Sequence, residues 1–147
     1  RTHGSIKGIP GSIGITNEQL LKLNTDILVL ASLENQIREE NALDIKANII
    51  VELANGAINS KAEEMLAGKT IFPDVLANSG GVVASYFEWI QNIEEKTFRL
   101  DEVENMLKEK MLVAFNEVIM AQQKYSVSMR EAAYIIAVQR IIEKSVD

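Results

Sequence analysis

The sequence predicts an α/β fold, with three parallel strands interleaved with helices and a helix-only part after them. Three observations carry this. Short, continuously apolar runs recur at Asp26–Ala31 (DILVLA), Asn48–Ala54 (NIIVELA) and Thr70–Leu76 (TIFPDVL). Helical patterns separate them. After Gly81 only helical periodicity remains. Unbroken apolarity, rather than alternation, marks strands buried on both faces, as in a parallel sheet. Strand–helix alternation implies right-handed crossovers. At 147 residues the chain is long enough for one domain with a real core.

The elements follow in order. Residues 1–14 carry Gly4, Gly8, Gly11, Gly14 and Pro10 and read as loop. Thr16 and Gln19 form a capping box for a short helix over 16–23, with Ile15 and Leu20 as its hydrophobic staple. A helix is expected over 34–45. Another over 60–67 is opened by Ser60 and Glu63 as a second capping box and ended by Gly68. The third strand contains Pro73 near its end. The C-terminal part holds helices over 82–92, 101–125 and 129–144. In the long one Val103, Met106, Leu107, Val113, Ala114, Val118 and Ala121 form one broad stripe. In the last, capped by Ser128 and Glu131, the apolar residues include Ala132, Ala133, Ile135, Ile136, Ile141 and Ile142.

Composition removes several function classes. With 47% apolar and 24% charged residues the chain has the make-up of a soluble globular protein. A net charge of −6 repels nucleic acid and anionic membranes. No apolar run approaches the roughly twenty residues that cross a bilayer. Cysteine is absent, which excludes disulfides, thiolate nucleophiles and cysteine metal sites. His3 is the sole histidine and is expected in an exposed loop. A histidine triad or a His-based zinc site is therefore not expected, and no metal site is predicted.

Three parallel strands place their C-terminal ends on one sheet edge. Those ends are Ala31–Ser32, Ala54–Gly56 and Ala77–Gly81, and two of them carry an asparagine, Asn55 and Asn78. Small residues let a flat ligand approach the backbone. An amide donates and accepts, so it suits a carboxamide or a ribose hydroxyl. Open α/β sheets bind ligands at this edge. Ser85 is expected in the first turn of the next helix. There a hydroxyl beside the positive helix end could serve a ligand carboxylate, or bond back to its own helix. Asp74 is positioned to orient the loop and is not read as catalytic. Tyr86, Phe87 and Trp89 are expected to anchor their helix against neighbours. There is no G-x-G-x-x-G loop and no P-loop. The chain reads as the second half of a Rossmann-like dinucleotide-binding domain, followed by C-terminal helices.

The segments DILVLASLENQI (26–37), ANIIVELANG (47–56), FPDVLANSGGVVASYFEWIQN (72–92) and MREAAYIIAVQRI (129–141) resemble the C-terminal part of the hexameric glutamate dehydrogenases, in the glutamate/leucine/phenylalanine/valine dehydrogenase superfamily. The resemblance covers essentially the whole chain. It implies an NAD- or NADP-dependent oxidoreductase that converts L-glutamate to 2-oxoglutarate and ammonia, by hydride transfer from the α-carbon through an imine. By the same resemblance, Asn55 lies on the nicotinamide-ribose side of the cofactor. Asn78 lies at the junction of nicotinamide and substrate, and Ser85 binds the side-chain carboxylate of glutamate. It also implies a homo-hexameric parent in the cytoplasm, or in the mitochondrial matrix of a eukaryote.

One departure from the family pattern is the sequence after Asn55–Gly56. Ala57, Ile58 and Asn59 replace a proline and a threonine pair, so that loop is expected to be looser. Ser32 takes a position that is commonly alanine. The family's catalytic lysine and aspartate, its glycine-rich loop and its N-terminal substrate domain have no counterpart in residues 1–147. No catalytic residue is therefore assigned. Residues 1–81 are read as the strand–helix part and residues 82–147 as C-terminal helices of a partial NAD(P)-binding domain. A fragment of this kind is expected to self-associate. The rival readings are a stand-alone, non-catalytic module that binds a nucleotide or a protein, and a pure assembly element.

Overall fold

The computed structural model describes residues 9–145. His3 and the first part of the glycine-rich start lie outside them. The chain runs α1 (Asn17–Leu21), β1 (Ile27–Leu30), a 3₁₀ turn (Ala42–Asp44), β2 (Ile49–Glu52), α2 (Ser60–Met65), β3 (Thr70–Phe72), α3 (Asp74–Ala77), α4 (Gly80–Glu94), α5 (Leu100–Tyr125) and α6 (Met129–Ser145). The strands form one parallel sheet in the order β1-β2-β3. Ile27 pairs with Ile49, and Ile49 with Thr70.

Side chains alternate across this sheet. Leu28, Leu30, Ile50 and Ile71 enter one core with Leu21, Ile37, Ile45, Ile58 and Leu66. On the opposite face Phe72 joins a second core with Leu76, Val118, Met129 and Ala132. Its ring stacks on Phe115, 6.0 Å between centroids, a pair worth about 0.5–1.5 kcal/mol beyond its area. The expectation of strands buried on both faces fails at β1. Ile27 and Val29 are 52% and 50% exposed, because α5 and α6 cover the β3 end of that face only.

Three local expectations also change. The helix over 34–45 shrinks to the 3₁₀ turn. Asn35 adopts a left-handed φ of 52°, and the backbone N–H groups of Asn35, Gln36 and Ile37 bond across to Gly56 and Ala57. Ile37 thereby makes a parallel bridge with Ile58. A segment that gives its amides to another chain segment cannot use them in a helix. The α2 helix is capped by Asn59, whose side chain accepts from the Lys61 N–H, and not by Ser60. It ends at Met65, and Gly68 at φ 90° turns the chain into β3. That strand stops at Phe72 rather than Leu76, since Pro73 has no N–H for the ladder and starts α3.

The capping boxes at Thr16/Gln19 and Ser128/Glu131 form as expected. In α5, Val118 and Ala121 are buried while Val113 is half exposed, so the stripe is narrower than its periodicity suggests. Ile141 and Ile142 of α6 are exposed too. Of the aromatic trio on α4 only Phe87 is buried; Tyr86 and Trp89 stand 52% and 56% exposed, their rings 5.8 Å apart.

Candidate functional site

The parallel sheet carries the ends of β1, β2 and β3 to one edge. There Asn55, after β2, meets Asn78, which the structure places at the C-cap of α3 rather than at the end of β3. Asn78 Nδ2 donates to Asn55 Oδ1 at 2.6 Å and to the Leu53 carbonyl at 3.3 Å. A backbone carbonyl only accepts, so it fixes which way the Asn78 amide is turned. The pair consumes one acceptor and one donor. Among the described residues the Asn55 NH₂ and the Asn78 carbonyl oxygen have no other partner, and Asn55 is exposed. One donor and one acceptor side by side are what a carboxamide or a ribose hydroxyl needs.

Beneath this edge lies a cluster that sequence reasoning did not assemble. Arg130, on the first turn of α6, donates Nε to Glu63 and Nη1 to Asp74, both at 2.7 Å, and Nη2 to Glu52. Three carboxylates from β2, α2 and α3 thus share one guanidinium. Glu52 is fully buried, and its other oxygen accepts from the Ile58 N–H at 2.9 Å. The other Asp74 oxygen accepts from the Gly56 N–H at 2.8 Å. Asp74 therefore does orient the loop that holds Asn55. Glu63, expected to close a capping box, serves Arg130 instead.

One guanidinium cannot neutralise three carboxylates, so the least exposed of them carries the penalty. Burial pushes the Glu52 carboxyl above its ordinary value, and the charge on Asp74 adds to this; Arg130 and the Ile58 N–H only partly offset it. Burial acts the same way on Asp74. There, however, the N–H groups of Gly56 and Val75, together with Arg130, win and hold the carboxyl below its ordinary value. Burial opposes the Arg130 charge as well, but Glu63, Glu52 and Asp74 raise its pKa further. It stays protonated at any working pH.

The loop after Asn55 is not loose. Ala57 and Ile58 are buried, and their backbone is tied to Gln36, Ile37 and Glu52. The unusual Ala57-Ile58-Asn59 sequence is accommodated by the core and by the Asn59 cap.

Ser85 lies in the second turn of α4, not the first, because the helix starts at Gly80. The pull of the helix dipole fades beyond the first turn, so Ser85 offers a hydroxyl with little help from it. Ser85 is exposed and shares a helix face with Gly81, Val82, Glu88 and Trp89. That face is turned away from Phe87 and the core. A Cβ on Gly81 would meet nothing within 4 Å, so contacts within this chain do not require glycine there. The structure brings Asn55 and Asn78 together and sets Ser85 about five residues into the helix that follows, roughly 7–8 Å along its axis from Gly80.

Glu52 and Arg130 were the residues missed. A signal existed for Glu52: a carboxylate inside the apolar run NIIVELA requires a buried partner. Arg130 gave none, since a cation early in an amphipathic helix ordinarily faces water.

Among the described residues no group of acidic or histidine side chains is arranged to hold a metal ion, and no helix is long and apolar enough to cross a membrane.

A parallel sheet in chain order, with paired amides at its C-terminal edge and helices behind, defines half of a doubly wound α/β domain of the dinucleotide-binding kind. The family model described as Glutamate/Leucine/Phenylalanine/Valine dehydrogenase matches residues 1–147, and the chain belongs to that family. A glutamate dehydrogenase of Thermotoga maritima is 47% identical over 143 residues, which cover 96% of this chain and 34% of that protein. An NAD-specific glutamate dehydrogenase of Staphylococcus aureus is 46% identical over 131 residues, covering 88% and 32%. Among solved structures, the hetero-hexameric glutamate dehydrogenase of Thermus thermophilus in its leucine-bound form superimposes with a TM-score of 0.86 at 27% identity, over 93% of this chain and 33% of that one. The Peptoniphilus asaccharolyticus glutamate dehydrogenase does so at 0.74 and 38% identity, over 77% and 29%. The chain spans about a third of the length of the relatives it matches.

Proposed function

We propose that this chain is the part of an NAD- or NADP-dependent glutamate dehydrogenase that receives the nicotinamide end of the cofactor and the side-chain carboxylate of glutamate. The observation that carries the reading is the Asn55–Asn78 amide pair at the shared strand edge. It fits the group: the donor left on Asn55 suits a ribose hydroxyl, and the acceptor left on Asn78 suits a carboxamide N–H. The cofactor, when bound, supplies the hydride acceptor. Asn55 and Asn78 bind and orient, and Ser85 donates a hydrogen bond to the substrate carboxylate from the open face of α4. The names of the relatives support this choice of reaction. No residue of the chain is assigned to the chemical step; proton transfer is left to groups outside residues 1–147. A hexameric assembly is proposed by analogy with the hetero-hexameric relative; identical subunits and a cytoplasmic place are expected from the sequence resemblance alone.

In the enzyme carrying this chain, Asn55→Ala should raise the KM for the dinucleotide, and Ser85→Ala should raise the KM for glutamate without changing that for the dinucleotide. Loss of one hydrogen bond to a charged group is worth about 1.5–3 kcal/mol, so the glutamate KM should rise about ten- to a hundredfold. An unchanged glutamate KM in Ser85→Ala would remove that residue from the site.

A further inference from the structure

Arg130 is 56 residues from Asp74 and 78 from Glu52 in the chain, yet it joins both to Glu63. Each of its three nitrogens donates to a different carboxylate. Two of the three carboxylates then reach on to the ligand edge. Glu52 closes β2 and is bonded to the Ile58 N–H. Asp74 is bonded to the Gly56 N–H, next to Asn55, and stands one helical turn before Asn78. Arg130 touches neither asparagine. It holds the groups that hold both. The cluster side chains are 0–20% exposed, so water screens their charges only weakly.

We propose that Arg130 is a positioning residue for the cofactor site: through Asp74 and Glu52 it sets the β2–α2 loop and the start of α3, and so the spacing of the Asn55 and Asn78 amides. This rests on the reading of those two asparagines as cofactor-binding. The link runs to the cofactor side and not to Ser85, which stands on α4, outside the cluster. A substitution at Arg130 should therefore be felt more strongly by the dinucleotide than by glutamate, which shares only Asn78 with the cluster's reach. Lysine does not reproduce the function, because an ammonium is a single point and cannot keep three carboxylates in a planar fork.

The test is steady-state kinetics on the enzyme carrying this chain, with Arg130→Lys, Asp74→Asn and Glu63→Gln, Asn55→Ala as the reference, and Arg140→Lys as a control on the same helix. Arg140 pairs with Glu117 at the surface, outside the carboxylate cluster. Arg130→Lys and Asp74→Asn should raise the KM for NAD or NADP about tenfold, the effect of one lost charge-assisted hydrogen bond. The glutamate KM should rise clearly less than the cofactor KM, and Arg140→Lys should match the unaltered enzyme. Combined with Asn55→Ala, each should raise the cofactor KM by less than the product of the single effects, since both act on one loop. If Arg130→Lys fails to fold, the milder Glu63→Gln and Asp74→Asn carry the same test. A lowered thermal midpoint with an unchanged cofactor KM, an equal rise in both constants, or full multiplicativity with Asn55→Ala would overturn the proposal while leaving the asparagine site standing. An unchanged cofactor KM in Asn55→Ala alone would overturn the site reading and the positioning role with it.

Discussion

Asp74 shows how one side chain connects two loops. Its carboxylate accepts from Gly56, Val75 and Arg130, and these hydrogen bonds outweigh burial, so its pKa falls below the ordinary 3.8. A carboxyl depressed in the folded state stabilises fully above its unfolded value and loses that contribution as pH falls through the folded one. Asp74→Asn should cost about 1.5–3 kcal/mol near neutrality, measured by denaturant unfolding. The gap to the unaltered protein should close only below pH 3.8. A gap of constant size down to that range and beyond would show that ionisation of Asp74 is not what stabilises. Glu52 behaves oppositely. Its pKa is raised, so its contribution is present below 4.5 and is lost as pH rises through the folded value. Removing the cation is harsher than removing either acid. Arg130→Met leaves three carboxylates facing each other with no counter-charge, and breaking a buried pair in this way costs about 3–5 kcal/mol.

At the scale of elements, α2 and α4 show how the first turn decides where a helix presents its residues. Asn59 accepts from the Lys61 N–H and so ends the buried Ala57–Ile58 stretch at a defined point. Asn59→Ala should destabilise by about 1 kcal/mol, readable as a fall in the urea midpoint at constant slope; no change would mean that the buried stretch alone sets the start of α2. The strand–helix–strand order, the two outer capping boxes and the three C-terminal helices were legible in the sequence because each rests on local periodicity and capping. The 34–45 segment was not. Its residues carry a helical pattern, but the amides of Asn35, Gln36 and Ile37 find acceptors at Gly56 and Ala57, some twenty residues away. α4 starts two residues before the expected position for a related reason: glycines at positions 80 and 81 argue against a helix in isolation, yet the Val83 N–H bonds to the Ser79 carbonyl and the helix takes them in. That shift moves Ser85 out of the first turn.

For the whole molecule, the exposed apolar surface is the consequence with most weight. β1 stands at one end of the three-stranded order, with Ile27 and Val29 half exposed and, among the described residues, no strand on its outer side. Such an edge invites pairing. Val82 and Trp89 on α4, and Ile141 and Ile142 on α6, are likewise more than half exposed. Expressed by itself, residues 1–147 should associate, and sedimentation velocity at rising concentration should show the increase; a clean monomer at high concentration would count against it. The same chain should bind NAD weakly or not at all, because it contains no G-x-G-x-x-G loop for the pyrophosphate. Submicromolar affinity in calorimetry would contradict this.

By itself the sequence determined the α/β class, the three strands, the helix-only C-terminal part and Asn55 at a strand end. Those follow from periodicity, breakers and caps, which act over a few residues. Only the tertiary structure decided that Asn55 and Asn78 touch, that Ala57–Ile58 is buried rather than loose, and that Arg130 gathers Glu52, Glu63 and Asp74 beneath them. These depend on contacts between residues 18 to 78 positions apart. A buried charge takes its meaning from the partner that folding brings to it, and that partner leaves no mark on its sequence neighbours.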